Sequence, residues 1–342
     1  LYVAALTDLK PAQEQEIRRN IQGGIQRLKS FSLPSGGFTY WPGENYRDSW
    51  ANSYAGHFLI EAAKAGYSVD ASMMDAWRNA QKKDAQAYRP GQYYRDDLNQ
   101  AYRLYTLALD GQPAWGMTNR LRTQKGLDQA AAWMLAAAYA LGNRNDAANE
   151  IITKLTTEVK PYQEMSYTYG SDLRDKALIL ETFLTMGEQN EAMTMARTIA
   201  TSLSAEYWYS TQSTSFALLA MGKMAKQFTG KQIKATITQS GKTGEQVSTT
   251  KGLVTRELDV ANENLTIENT SSDPLFIRVT TTGRPLKGIP AEVKIKKRIK
   301  AIYMDLQGKV ISPDRLKQGQ DFVVQLTVTN PGTYTSHLDQ MA

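Results

Sequence analysis

The chain has 342 residues, of which 42% are hydrophobic and 22% charged, with a formal net charge of +6. That is ordinary soluble-protein composition with room for two or three domains, and no apolar run reaches the roughly 20 residues a membrane-spanning helix needs. Cysteine is absent and histidine occurs twice, which excludes a disulfide framework, a thiol nucleophile and a thiolate metal site within these residues.

The chain opens Leu1-Tyr2-Val3-Ala4-Ala5-Leu6, with neither Met nor the basic leader of a signal peptide. The expectation is a piece of something longer, with any targeting signal upstream. Apolar periodicity predicts an amphipathic helix over 14–31. A glycine-punctuated aromatic loop follows, Gly36-Gly37-Phe38-Thr39-Tyr40-Trp41-Pro42-Gly43, and after a short polar stretch it feeds a helix over 51–65 that stops at Gly66.

That phrase recurs. Ala- and Leu-rich helices over 97–110, 129–141 and 175–186 stop at Gly111, Gly142 and Gly187, and another over 212–221 reaches Gly222. Glycine closes a helix because it enters the left-handed conformation without steric cost. Successive glycines stand 31 to 45 residues apart, which leaves room for partner helices, and 146–155 and 189–203 are amphipathic partners of this kind. The unit is an imperfectly repeated helical hairpin. Irregular spacing and aromatic inter-helix loops around Tyr93-Tyr94, Tyr167-Thr168-Tyr169 and Tyr207-Trp208 favour a closed α/α toroid over an open solenoid. The loop aromatics are expected to plug it.

Near Phe228-Thr229-Gly230 the pattern changes to short alternating strands over 233–238, 265–269, 276–282, 291–296 and 322–329, with turn signals at 271–274 and 330–332. β-Sandwich segments are the expected outcome. Residues 284–290 read as a linker, and the piece after it is thin for a whole sandwich. Basic residues are dispersed. Their one dense run, Lys294 to Lys300, alternates like a strand, which argues against a nucleic-acid surface.

Candidate chemistry is sparse. His57 and Glu61 lie one helical turn apart and share a face, so they could hold a metal or move a proton; the plainer alternative is a histidine packed near Tyr40 and Trp41. Glu44 and Asp48 beside Trp41 and Trp50, and Asp96 and Asp97 beside Tyr93 and Tyr94, resemble the carboxylate pairs and aromatic platforms of a glycoside hydrolase or polysaccharide lyase. Carboxylates placed before helices are more often N-caps. His337 is expected to be solvated. No phosphate loop, dinucleotide fingerprint or nucleophile elbow is present, so no catalytic, cofactor-binding or metal residue is assigned and no cofactor is expected.

Three passages carry a family resemblance: Gly36 to Gly43 with the helix from Trp50 to Gly66; Asp97 to Gly111; and Ser210-Thr-Gln-Ser-Thr-Ser-Phe216 with the apolar run after it. In this order they resemble the thioester-domain region of the bacterial alpha-2-macroglobulin family. The resemblance implies an α/α toroid of the terpenoid cyclase/prenyltransferase kind over 1–229, a β-rich, complement-type (CUB-like) linking domain over 230–290 and the start of a macroglobulin-like β-sandwich over 291–342. It implies a non-enzymatic part of a broad-spectrum endopeptidase inhibitor of the bacterial cell envelope, periplasmic or outer-membrane anchored. Proteases would be the entrapped partners and other domains of the same chain the neighbours. The family's thioester motif, Gly-Cys-x-Glu-Gln, falls upstream of the stretch matching Leu1, so no thioester residue can be placed here. Phe38, Tyr40, Trp41, Trp50, Tyr54 and His57 become the candidate wall that shields such a bond from water. This reading also expects a helical core filled by side chains, with no converging carboxylates. The alternative is a carbohydrate-active toroid enzyme with an accessory β domain.

Overall fold

The computed structural model describes residues 2–3, 7–205, 207–227, 233–239, 243–258, 264–272, 275, 277–280 and 298–329. The expectations for 281–297, 330–332 and His337 lie outside them. The chain divides into two compact units, Leu1–Phe276 and Ile277–Ala342.

In the first unit the helices are α1 (Pro11–Leu28), α2 (Ser49–Lys64), α3 (Ala71–Ala87), α4 (Asp96–Leu109), α5 (Trp115–Arg122), α6 (Gln129–Leu141), α7 (Asn145–Ile152), α8 (Asp172–Met186), α9 (Gln189–Ser204) and α10 (Thr211–Gln227). They are of two kinds. In α4 every residue from Leu104 to Leu109 is buried, and in α6 every residue from Ala130 to Ala140. By contrast α1 buries only Ile21 and Ile25, and α9 only Ala192, Met195, Ala196 and Ile199. A helix apolar all round belongs inside; one with a single apolar stripe belongs on the outside. The packing follows: α2, α4, α6, α8 and α10 pack each against the next, while α3, α5, α7 and α9 lie against them from hairpin to hairpin. Side chains of α10 return to α2, where Trp50 Nε1 donates to Gln212 Oε1 (2.5 Å) and Lys223 Nζ meets Glu61 (2.7 Å).

Small residues set the spacing. Gly56 on α2 faces the indole of Trp77 on α3, and a Cβ there would overlap that ring. The indole N–H of Trp77 donates to the Asn52 carbonyl at 2.9 Å, so the ring has no freedom to yield.

The helix ends match the glycine expectation at Gly66, Gly111 and Gly187, which have φ of +88°, +75° and +82°. Two others depart from it. Gly142 sits at φ −93° and the left-handed step falls on Asn143 at 58°. Gly222 does not end a helix: α10 runs on to Gln227, and the residue is small because the Tyr2 side chain packs on it. The expected partner helices appear as α7 and α9, and α3 and α5 fill the intervals that the sequence left unassigned.

The first unit also holds a three-stranded antiparallel sheet, β1 (Ile233–Gln239), β2 (Glu245–Thr249) and β3 (Leu265–Asn269), in the order β2-β1-β3. Ala235 pairs with Val247, and these two are its buried side chains. In the second unit β4 (Arg298–Met304) pairs antiparallel with β5 (Val323–Thr329), in register from Arg298 with Thr329 to Met304 with Val323. Val323, Val324 and Leu326 are exposed on β5.

Candidate functional site

The loops that lead into α2, α8 and α10 meet at the N-terminal ends of these helices. The first is anchored by Asn52, whose Oδ1 accepts the Phe38 N–H (2.9 Å) and whose Nδ2 donates to Gln81 (2.8 Å). This buries the Phe38 ring and projects Tyr40 and Trp41 outward. Their rings meet edge to face at 5.2 Å between centroids, and Tyr40 stacks on Tyr169 of the loop before α8 at 5.7 Å. Trp41 is 63% exposed.

Trp50, Tyr54 and His57 lie deeper along α2. All three contact the Phe216 ring of α10, and Trp50 also packs on Tyr102 at 4.7 Å. The Arg174 guanidinium covers the Trp50 ring. The six expected wall residues thus fall into two groups. Phe38, Trp50 and His57 are buried core residues with Tyr54 half-buried beside them, while Tyr40 and Trp41 form a surface. His57 does not pack near Tyr40 and Trp41; its Nδ1 is 3.0 Å from the Tyr102 hydroxyl. The other loop aromatics, Tyr93, Tyr94, Tyr167, Tyr207 and Trp208, are exposed and plug nothing. Their loops precede helices whose apolar side chains already fill the interior.

The loop carboxylates are occupied locally. Glu44 accepts the Trp41 N–H (2.9 Å) and the Tyr46 hydroxyl (2.9 Å), and Asp48 caps α2 by accepting from Ala51 N (2.7 Å). Asp96 accepts from Gln92 N, and Asp97 from Leu98 N and Asp128 N. These are capping and loop-closing bonds.

Carboxylates converge at the other end of α2 instead. Glu61 Oε1 lies 3.6 Å from His57 Nε2, as the one-turn spacing implied, and 2.7 Å from Lys223 Nζ. Lys223 also meets Glu181 (2.6 Å), which accepts from the Tyr105 hydroxyl (2.8 Å), while Tyr2 donates to Glu61 Oε2 (2.8 Å). The expectation of a core without converging carboxylates is therefore wrong. Two carboxylates do meet, and a lysine from α10 compensates them. Burial alone would push the Glu61 carboxyl up, but His57 and Lys223 outweigh it and hold the carboxyl well below its usual range. Burial also keeps His57 neutral by lowering its pKa. Lys223 is held charged against its own burial by Glu181 and Glu61. Such a cluster ties α2, α8 and α10 together by compensating buried charges, although His57 Nε2 and Glu61 Oε1, 3.6 Å apart, make no hydrogen bond to each other. Tyr2, Glu61, Glu181 and Lys223 themselves line an open pocket of about 470 Å³, together with Lys64, Leu109, Leu141, Lys226 and Gln227. Sequence reading found the His57–Glu61 pair but missed Tyr2, Tyr105, Glu181 and Lys223. The available signal was a lone charge inside an apolar run, as in Leu180-Glu181-Thr182-Phe183 and Met221-Gly222-Lys223-Met224. Among the described residues no group of three or more His, Cys, Asp or Glu could hold a metal ion, and no helix is long and apolar enough to cross a membrane.

No family model matches the chain. The alpha-2-macroglobulin of Xylella fastidiosa (strain Temecula1) is 25% identical over 340 residues, covering 94% of this chain and 20% of that protein. The chain is similar to bacterial alpha-2-macroglobulins. The alpha-2-macroglobulin homolog of Yersinia pestis is 24% identical over 333 residues, 89% of this chain and 16% of that protein. Among solved structures, Salmonella alpha-2-macroglobulin reacted with methylamine superposes with a TM-score of 0.59 at 20% identity, over 94% of this chain and 21% of that one. Native Escherichia coli alpha-2-macroglobulin from domain MG7 to the C-terminus gives 0.58 at 20% identity, over 92% and 50%. The helix-rich part followed by small sheets is thus a bacterial alpha-2-macroglobulin fold, and the chain spans about a fifth or less of the length of the curated relatives it matches.

Proposed function

We propose that this chain is part of an alpha-2-macroglobulin-like inhibitor that entraps endopeptidases, and that it acts there as a scaffold without enzymatic activity. The observation that carries the reading is continuous similarity to bacterial alpha-2-macroglobulins along 94% of the chain, in both sequence and fold. Other structures of that fold are described as Escherichia coli alpha-2-macroglobulin activated by porcine elastase and activated by trypsin, which supports proteases as the partners. The carbohydrate-enzyme reading is not favoured, since each of its candidate carboxylates is spent on a cap or a loop.

On this reading residues 1–229 form an α/α toroid of thioester type, 230–290 a linking domain and 291–342 the beginning of a β-sandwich, in a protein of the bacterial cell envelope. The side-chain return from α10 to α2 supports the toroid. Val324 and Leu326, exposed on one face of β5, support a sandwich face awaiting its partner sheet. Tyr40 and Trp41 are the wall residues free to cover a reactive bond held by other residues of the full-length protein; Phe38, Trp50, Tyr54 and His57 belong to the packing of the helices instead. Dry aromatic cover slows hydrolysis of a thioester.

The test is methylamine consumption by the full-length protein. The amine nitrogen bonds to the acyl carbon, the carbon–sulfur bond breaks, and the proton lost by the amine ends on the released cysteine thiol. One thiol should appear per amine consumed, faster in Trp41→Ala. An unchanged rate in that variant would remove Trp41 from the wall, and a full-length protein that releases no thiol would remove the thioester.

A further inference from the structure

The loop over 160–171, ahead of α8, holds two aromatic residues in the left-handed region, Tyr167 at φ 57° and Tyr169 at φ 46°. Bulky side chains avoid this conformation, and it persists only where surrounding contacts over-determine it. Those contacts are present. Arg174, wholly buried at the start of α8, donates through Nη1 to Thr168 Oγ1 (2.8 Å) and the Thr168 carbonyl (3.3 Å), through Nη2 to the Tyr162 hydroxyl (2.9 Å) and through Nε to Asp175 (2.9 Å). Glu164 closes the loop from its other side. It accepts from Arg95 Nη1 (2.6 Å), the Thr168 hydroxyl and Gly170 N (3.4 Å), while its own N–H donates to the Gly170 carbonyl (2.8 Å). Gly170 has no room for a Cβ because the Arg174 guanidinium occupies that space.

This framework produces one placement. The Tyr169 ring lies nearly parallel to Tyr40, 21° between planes. The Tyr169 carbonyl accepts from Ser210 Oγ (3.2 Å) and Ser213 Oγ (3.5 Å) at the start of α10. Tyr167 points elsewhere: its ring meets Tyr94 at 5.1 Å and is 64% exposed.

We infer that Tyr169 is a further residue of the aromatic wall, and that Arg174, acting through Thr168, is the positioning residue that holds it against Tyr40. The inference rests on the shielding role proposed for Tyr40 and Trp41. Tyr40 comes from the loop before α2, Tyr169 from the loop before α8 and Ser210 from the loop before α10. The wall is therefore assembled from three loops before any partner arrives, and its shape is set by a buried guanidinium rather than by flexible surface side chains.

The experiment uses the full-length protein, with methylamine as the probe and thiol release as the rate. Tyr169→Gly removes the ring and relieves the left-handed strain, so the melting temperature should not fall while thiol release rises several-fold. Tyr167→Gly relieves the same kind of strain but leaves the Tyr40 stack intact, and should match wild type. Thr168→Val removes, at nearly constant volume, the hydroxyl that accepts from Arg174 and donates to Glu164, leaving only the carbonyl bond to Arg174, and should raise the rate as Tyr169→Gly does. A wild-type rate in Tyr169→Gly, measured where Trp41→Ala is fast, overturns the inference and leaves the shielding role standing. An equal rise in Tyr167→Gly also overturns it, since general loosening of the loop would then be the cause. A wild-type protein that consumes no methylamine overturns the shielding role and this inference with it.

Discussion

The Arg174 guanidinium lies 5.0 Å from the centre of the Trp50 ring, and both residues are buried. The contact links α8 to α2 across the aromatic cluster, and the Trp50 N–H bond to Gln212 extends the link to α10. Trp50→Phe keeps the apolar volume roughly, loses the hydrogen bond and weakens the cation–π contact. The expected cost is about 1–3 kcal/mol, read as a lower urea midpoint at unchanged slope.

At the other end of α2, Lys223 stands between Glu61 and Glu181. Removing one partner of a buried charged group strands the others. Lys223→Met should therefore destabilise the chain by about 3–5 kcal/mol. Adding Glu181→Gln to that variant should recover part of the loss, because one stranded carboxylate is then neutral. Urea unfolding of the two variants measures both effects.

The same cluster sets a pH dependence. His57 is buried and its pKa lies below the ordinary value, so the unfolded chain takes up a proton there before the folded one does. Stability should fall as pH drops below about 6.5, the unfolded histidine value. Glu61 is held below its usual range, so its stabilising contribution is complete above about 4.3 and is lost as pH falls further. His57→Gln should flatten the slope of unfolding free energy between pH 7 and 5 and, because His57 also helps to hold the Glu61 carboxyl down, should lessen the loss at lower pH. An unaltered slope in that interval would show that His57 does not titrate differently in the two states.

Close approach of α2 and α3 depends on Gly56. Gly56→Ala drives a Cβ into the Trp77 indole, which its hydrogen bond to Asn52 holds in place. Overpacking of this kind costs about 1–3 kcal/mol. Thermal unfolding should show a clear fall, and Gly66→Ala should show a smaller one, since a Cβ at Gly66 meets no atoms and only its φ of +88° is unfavourable.

Much of the helical framework was legible in the sequence. Runs such as Ala130-Ala131-Ala132-Trp133-Met134-Leu135 are apolar on every face, and a soluble chain can place such a helix only inside. The glycines marked three of the ends, but Gly222 misled, because a glycine that admits a neighbouring ring looks in sequence like one that stops a helix. The strands over 233–238 and 322–329 were legible from alternation. β2 was not, since Glu245-Gln246-Val247-Ser248-Thr249 carries a single apolar residue. The site was legible only where its parts were local. His57 and Glu61 are one turn apart, whereas Glu61 and Lys223 are 162 residues apart and Tyr40 and Tyr169 are 129 apart, so nothing in either neighbourhood announces the other. Exposure was not legible either: Trp50 and Trp41 sit in one phrase, yet one is core and the other surface.

Entrapment differs from active-site inhibition in what it lets through. A caged protease keeps a working catalytic centre and loses only access to large substrates. The most direct measurement mixes the full-length protein with trypsin and follows two substrates, a short chromogenic peptide and casein. The account predicts that casein cleavage is suppressed while peptide hydrolysis continues at nearly the free-enzyme rate; equal suppression of both, or of neither, would contradict it.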